Sequence, residues 1–133
     1  MGWQLRGHTA DVILALDAPD EVALASAAVD GVRAVLVGES PVAADAWRDV
    51  PAAVDLAAGE AFFRFVRELF YLADVEGFLP AEVESTAAGW RVFGERFDAA
   101  RHVPHYQVKA VTRHGWRYDR HPEGLRVEMV LDL

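Results

Sequence analysis

Apolar residues recur with a helical period in the first part of this chain. Five of them stand three or four positions apart, namely Val22, Ala25, Val29, Val32 and Leu36. This spacing predicts a helix near residues 20–37. Pro19 suits its first helical position, Asp20 and Glu21 suit the positive end of its dipole, and Gly38 would end it. Several alanines among these residues favour close packing of the helix on a sheet.

A second helical stripe is broader and more apolar. It carries Phe62, Phe65, Val66, Leu69 and Leu72. The stripe predicts a helix near residues 60–76 that ends at Gly77. We interpret its aromatic residues as core, because phenylalanine at helical spacing is typical of a packed interior.

Outside the helices, apolar and polar residues alternate with the period of a β-strand. The predicted strands are 3–8, 11–17, 47–57, 83–87, 90–95, 108–119 and 125–133. Strands dominate after Phe78, and 133 residues are within the usual size of one domain. The sequence therefore predicts an α+β fold: a single two-layer domain over residues 1–133, with two main helices packed on a largely antiparallel sheet.

Composition narrows the class of protein. No cysteine is present, which excludes disulfides and thiolate metal sites. The N-terminus lacks a hydrophobic signal region, and no apolar run approaches the roughly 20 residues of a membrane span, so we expect a soluble cytoplasmic protein without membrane contact. The net charge is −8, and the basic residues are scattered. We therefore expect no tight autonomous nucleic-acid binding, and a basic protein partner or a bound cation instead.

Lys109 is unusual because it interrupts a stretch that otherwise reads as a buried strand, residues 108–114. Lysine is depleted in strand interiors and is rarely buried without a partner. One interpretation is an edge-strand lysine that prevents aggregation. The other is a functional lysine that faces an anionic group.

Three carboxylates near the chain ends form a candidate metal site. Asp11 and Asp132 each lie off the apolar face of a predicted strand, and the α-carboxylate of Leu133 adjoins Asp132. If the two strands are neighbours, these groups converge. Oxygen-only ligands favour a hard cation such as calcium or magnesium. The competing interpretation is two solvated surface aspartates.

The sequence also bears on zinc binding, hydrolysis and phosphate binding. His102 and His105 are three positions apart, as some zinc ligands are, but structural or solvent-facing histidines are the alternative. The sequence has neither a Gly-x-Ser-x-Gly nucleophile motif nor a Gly-x-x-x-x-Gly-Lys phosphate loop. We therefore expect a protein that is not an enzyme on its own.

Four short motifs, in order and across nearly the whole chain, resemble those of the archease family. They are His8-Thr9-Ala10-Asp11, Phe97-Asp98 with Arg101-His102, Val108-Lys109-Ala110-Val111-Thr112 with His114, and Leu131-Asp132-Leu133. Archeases are small activating partners of the GTP-dependent RNA ligase of tRNA splicing and RNA repair, and they promote ligase guanylylation and multiple turnover.

The resemblance implies roles for particular residues. The family's metal site corresponds to Asp11, Asp132 and Leu133, and its functional lysine corresponds to Lys109, which would assist the partner ligase rather than catalyse a reaction alone. Arg113 departs from the pattern, since the family commonly has tyrosine there. Two other functions stay open: a free-standing metal-dependent enzyme acting on a small phosphorylated substrate, and a chaperone-like binding module.

Overall fold

The computed structural model describes residues 2–7 and 11–133. Two helices and seven strands make up this part of the chain. In chain order they are β1 (Gly2–Gly7), β2 (Asp11–Ala18), α1 (Glu21–Val37), β3 (Ala46–Pro51), α2 (Ala58–Glu76), β4 (Phe78–Thr86), β5 (Gly89–Arg96), β6 (Ala110–His121) and β7 (Gly124–Asp132).

Helix α1 begins and ends with residues suited to its termini. The Asp20 carboxylate caps it by accepting a 2.8 Å hydrogen bond from the Ala23 N–H. Pro19 therefore lies outside the helix, and its predicted place in the first helical position is wrong. Close packing on the sheet is confirmed at Gly31, where an added Cβ would stand only 2.8 Å from the Leu14 Cδ1 atom. Gly38 ends the helix with a positive φ of 60°.

Helix α2 agrees with its predicted span and carries the aromatic part of the core. Its buried residues are Phe62, Phe63, Phe65, Val66, Leu69, Phe70 and Leu72. Gly77 caps the C-terminus in the left-handed conformation, and its N–H donates to the Ala73 carbonyl. The aromatic residues of α2 are core, as the periodicity predicted.

The seven strands divide into two antiparallel sheets. One has the order β1-β2-β7-β6 and the other has the order β3-β5-β4. The fold is thus α+β in a single domain, with the two helices packed against antiparallel sheets, and the division into two sheets refines the predicted architecture. Strand β3 stops at Pro51, short of its predicted end at residue 57. Proline has no N–H to donate to a ladder, which favours this ending.

Strands β2 and β7 form the centre of the first sheet, and their alternation fixes which residues are inside. The paired core residues are Val12 with Leu131, Leu14 with Met129, Leu16 with Val127, and Ala18 with Leu125. Each is at most 2 % exposed. The residues between them face away from the core. No helix in the described ranges is long and apolar enough to cross a membrane.

Strand β6 lies at the edge of this sheet and is irregular. Between the pairs Thr112–Val130 and Arg117–Glu128, β6 advances five residues while β7 advances two. Gly115 lies in this bulge at a φ of +77°, a conformation that glycine adopts readily. The bulge separates the start of β6, which pairs with the end of β7, from the rest of the strand.

Candidate functional site

Asp11 and Asp132 are direct cross-strand partners. Asp11 is the first residue of β2, Asp132 is the last residue of β7, and the antiparallel register aligns them. Directly opposed residues have Cα atoms about 4.5–5.5 Å apart and side chains on the same face. The predicted convergence of the two aspartates therefore agrees with the backbone register, whereas metal binding itself stays a prediction.

The Asp11 carboxylate is only partly solvated. Its Oδ1 atom is buried and has no hydrogen-bond partner in the described part of the chain, while Asp132 is exposed. A buried carboxylate oxygen without a partner is costly, and an opposed carboxylate adds repulsion. Both features fit a site for a positively charged group.

The third predicted ligand, the α-carboxylate of Leu133, is adjacent to the aspartate pair. Leu133 directly follows Asp132 and is half-buried, so the α-carboxylate at that residue would adjoin the aspartate pair. Within the described ranges, no cluster of three or more histidine, aspartate or glutamate side chains could hold a metal ion. A cation would therefore need the Leu133 carboxylate or another oxygen donor. Residues 8–10 of the first sequence motif lie outside the described residues.

The backbone of Lys109 is hydrogen-bonded to Asp132, one residue of this pair. Its N–H donates a 2.8 Å hydrogen bond to the Asp132 carbonyl, and the next residue, Ala110, is the cross-strand partner of Asp132. The predicted place of Lys109 inside the strand is wrong, because β6 begins at Ala110. The lysine side chain is exposed, and no ion pair joins it to a carboxylate of the described residues.

Arg113 contacts helix α2 rather than solvent alone. Its guanidinium donates from both Nη atoms to the two carboxylate oxygens of Glu60. It also lies 4.2 Å from the centroid of the Phe63 ring. The sequence indicated only that Arg113 replaces the family's tyrosine, and its separation of 53 residues from Glu60 offered no signal of this contact.

The second motif, around Asp98 and His102, contains a buried histidine. His102 is 1 % exposed, and its Nδ1 accepts a 2.9 Å hydrogen bond from the Asp98 N–H. Arg101 pairs with Glu95, and the hydrogen bond from the Ala43 N–H holds the pKa of the Glu95 carboxyl below its ordinary value. His102 is thus buried and not solvent-facing, and its Nε2 atom lies 3.4 Å from the Glu95 Oε2 atom.

A cleft of about 580 Å³ lies elsewhere on the molecule. It runs between α2, the end of β3 and the β4–β5 turn, and Trp90 and Tyr118 are among its aromatic lining. Burial raises the pKa of Tyr118 above its ordinary value. On β7, the partner of Tyr118 is Val127, about 17 Å along the strand from Asp132. The cleft is therefore separate from the aspartate pair.

The sequence profile of the archease protein family matches residues 3–133. The chain belongs to the archease family. This match includes both aspartates of the pair, Lys109 and the buried His102.

Curated archeases match over a shorter segment. The archease of Pyrococcus furiosus is 33 % identical over 70 residues, and that of Thermococcus gammatolerans is 36 % identical over 70 residues. Each alignment covers 47 % of this chain and 49 % of the relative. The chain thus matches about half the length of these curated archeases.

Solved structures share the archease fold over almost the whole chain. A crystal structure from Thermotoga maritima, described as an archease and possible chaperone, has a TM-score of 0.64 at 20 % identity and covers 95 % of this chain and 93 % of its own. A solution structure from Methanobacterium thermoautotrophicum has a TM-score of 0.64 at 19 % identity and covers 99 % of both chains. At these identities the likeness establishes the fold.

Proposed function

We propose that this chain is an activating partner of a GTP-dependent RNA ligase in tRNA splicing or RNA repair, and that it promotes ligase guanylylation and multiple turnover. The observation that carries the proposal is the opposed pair of Asp11 and Asp132 beside Lys109, in a chain of the archease family. The groups that act on the ligase's nucleotide would be a divalent cation at the acidic site and the ammonium group of Lys109.

The acidic site suits a hard cation. Asp11, Asp132 and the Leu133 α-carboxylate would hold it, and the partnerless Oδ1 of Asp11 supports the fit. Oxygen donors suit hard divalent cations, and calcium is the cation proposed first, with magnesium or manganese as alternatives. When bound, the cation would supply positive charge for the oxygens of a phosphate group.

Lys109 suits action on a group held by another protein. Its ammonium is a compact point charge on a flexible stem, and no carboxylate in the described ranges neutralises it. Placed beside the ligase's nucleotide, it would offset negative charge that develops during nucleotidyl transfer. The chain itself would contribute no covalent step, and the nucleophile would belong to the ligase.

The test is a ligation assay with a purified GTP-dependent RNA ligase and excess RNA ends. The chain at catalytic concentration should convert one turnover per ligase into many, and it should speed formation of the covalent ligase–GMP adduct. Lys109→Ala should lose this effect, whereas Arg117→Ala should keep it, because Arg117 is an exposed base in β6, the strand that follows Lys109, and pairs with Asp119 at 3.4 Å.

Two results would overturn the proposal. One is unchanged turnover when the unmodified chain is added, and the other is full activation by Lys109→Ala. Hydrolysis of a small phosphorylated substrate by the isolated chain, dependent on Asp11, would instead support the metal-dependent enzyme.

A further inference from the structure

The bulge in β6 directs two side chains onto one phenylalanine of α2. The ring of Trp116 meets Phe63 edge-on, with centroids 5.0 Å apart at 85°, and the Arg113 guanidinium lies 4.2 Å from the same ring. Phe63 is 1 % exposed. The edge strand β6, whose only strand neighbour in the described residues is β7, is thereby attached to a buried residue of α2, in addition to the contact of Tyr118 with Phe62 further along the strand.

Arg113 adds a second attachment to the same helix. Its bidentate hydrogen bonds reach Glu60 in the first turn of α2, where a negative charge is also favoured by the helix dipole. These hydrogen bonds hold the pKa of the Glu60 carboxyl below its ordinary value, so the pair is charged at neutral pH. Arg64 is a weaker neighbour of Glu60, at 3.7 Å.

Lys109 stands four residues before Arg113, and the intervening segment is fixed at both ends. At one end the Lys109 N–H donates to the Asp132 carbonyl, residues 110–112 then pair with residues 130–132 of β7, and at the other end the Arg113 guanidinium donates to Glu60. We propose that the ion pair of Arg113 and Glu60, here called the clasp, positions Lys109 for its work on the partner ligase. This inference rests on the proposed function and assigns Arg113 and Glu60 as positioning residues.

The exposure of the clasp argues against a role in stability alone. The Arg113 side chain is 50 % exposed and that of Glu60 is 30 % exposed. Ion pairs at such sites contribute little to the free energy of unfolding. A planar guanidinium held by two hydrogen bonds and stacked on a ring nevertheless fixes direction, which lysine could not reproduce. The clasp is thus better suited to orientation than to folding.

Amide hydrogen exchange tests the clasp without any ligase. Arg113→Ala and Glu60→Gln should each speed exchange at the Lys109 amide by about threefold, since local opening of the strand start becomes easier by the free energy of an exposed ion pair. The amides in the centre of β2 should be unaffected, and Arg117→Ala should change neither region. Equal protection of the Lys109 amide in Arg113→Ala and in the unmodified chain would overturn the inference.

Ligation assays then test the link to function. With a saturating amount of chain, Arg113→Ala should lower ligase turnover by between about tenfold and a hundredfold, the loss that a misplaced group causes. The concentration for half-maximal activation should stay within about twofold, because the partner surface is retained.

The outcomes separate the two proposals. Full activation by Arg113→Ala, with an active unmodified chain, would refute the clasp and leave the proposed function intact. No activation by the unmodified chain would refute the proposed function, and the role of the clasp in it, whatever the exchange rates show.

Discussion

Replacing Asp11 by asparagine should stabilise the protein when no divalent cation is present. Asp11 and Asp132 are cross-strand partners, and one oxygen of Asp11 is buried without a hydrogen-bond partner. Asparagine keeps the shape of the side chain while removing one of two like charges. A neutral amide is also less costly to bury than a carboxylate. The substitution should therefore raise the free energy of unfolding in a chelating buffer.

The size of this effect follows from the separation of the charges. Two unit charges about 5 Å apart repel by about 0.8 kcal/mol in water and by about 3 kcal/mol at the effective dielectric constant of a protein surface. Since Asp132 is exposed, the value should lie near the aqueous limit, at about 1 kcal/mol. For a chain of 133 residues this corresponds to a rise in Tm of about 4 °C.

Addition of a divalent cation should reverse the order of stability. A cation that binds only the folded chain stabilises it by about 2.7 kcal/mol at a concentration of 100 times Kd. The unmodified chain should gain this stabilisation, about 10 °C in Tm, while Asp11→Asn gains little because it lacks a charged ligand. Thermal melts of both proteins, in chelator and in calcium, magnesium or manganese, measure this reversal in the order of Tm.

Asp17→Asn is the matched control, since Asp17 lies on the same strand and face but opposite Arg126. It should be neutral or slightly destabilising, with no dependence on the cation. The reasoning fails if Asp11→Asn lowers Tm in chelator, or if all three cations leave the Tm of the unmodified chain unchanged. A response shared by Asp17→Asn would indicate general charge screening rather than a site.

Three further substitutions test other parts of the structure. Lys109→Arg should melt within about 1 kcal/mol of the unmodified chain yet fail in ligation, and full activation would show that any cation suffices. Phe63→Ala should lower the free energy of unfolding by about 3–5 kcal/mol in urea titrations, and a loss below about 1 kcal/mol would contradict its central place under Arg113 and Trp116. Glu95→Gln should destabilise the chain at pH 7. Because the folded-state pKa of Glu95 is lowered, its stabilisation is present above the ordinary value of 4.5 and is lost as pH falls through the folded pKa, so the difference in urea midpoints should shrink at acid pH; a difference independent of pH would contradict this.

The sequence was most informative about features that depend on a single helix or strand. The two helices, their glycine ends and the core face of β7 each follow from a local period. The sequence also placed Asp11 and Asp132 off the apolar face of their strands. Their meeting followed only on the condition that the two strands are neighbours, which the structure supplies.

The parts that could not be predicted depend on contacts between distant segments. Alternation does not state which strands pair, so the division into two sheets was not foreseen. The Arg113–Glu60 pair joins a bulged strand to a helix, and bulges break the period on which prediction depends. Likewise, His102 carries no local sign that it is buried.

The alternation that builds the core also keeps the two aspartates opposed. Val12 and Leu131 are buried partners one position inward from Asp11 and Asp132. A slip of one residue between β2 and β7 would separate the carboxylates, but it would also turn every core residue of the slipped strand towards solvent. Exposing a valine, leucine or methionine costs about 1.5–3 kcal/mol, and either strand has at least three of them in the core, whereas the repulsion between the aspartates is about 1 kcal/mol. The core therefore overrides the repulsion, and the fold holds two like charges together at a place where a cation would gain from both.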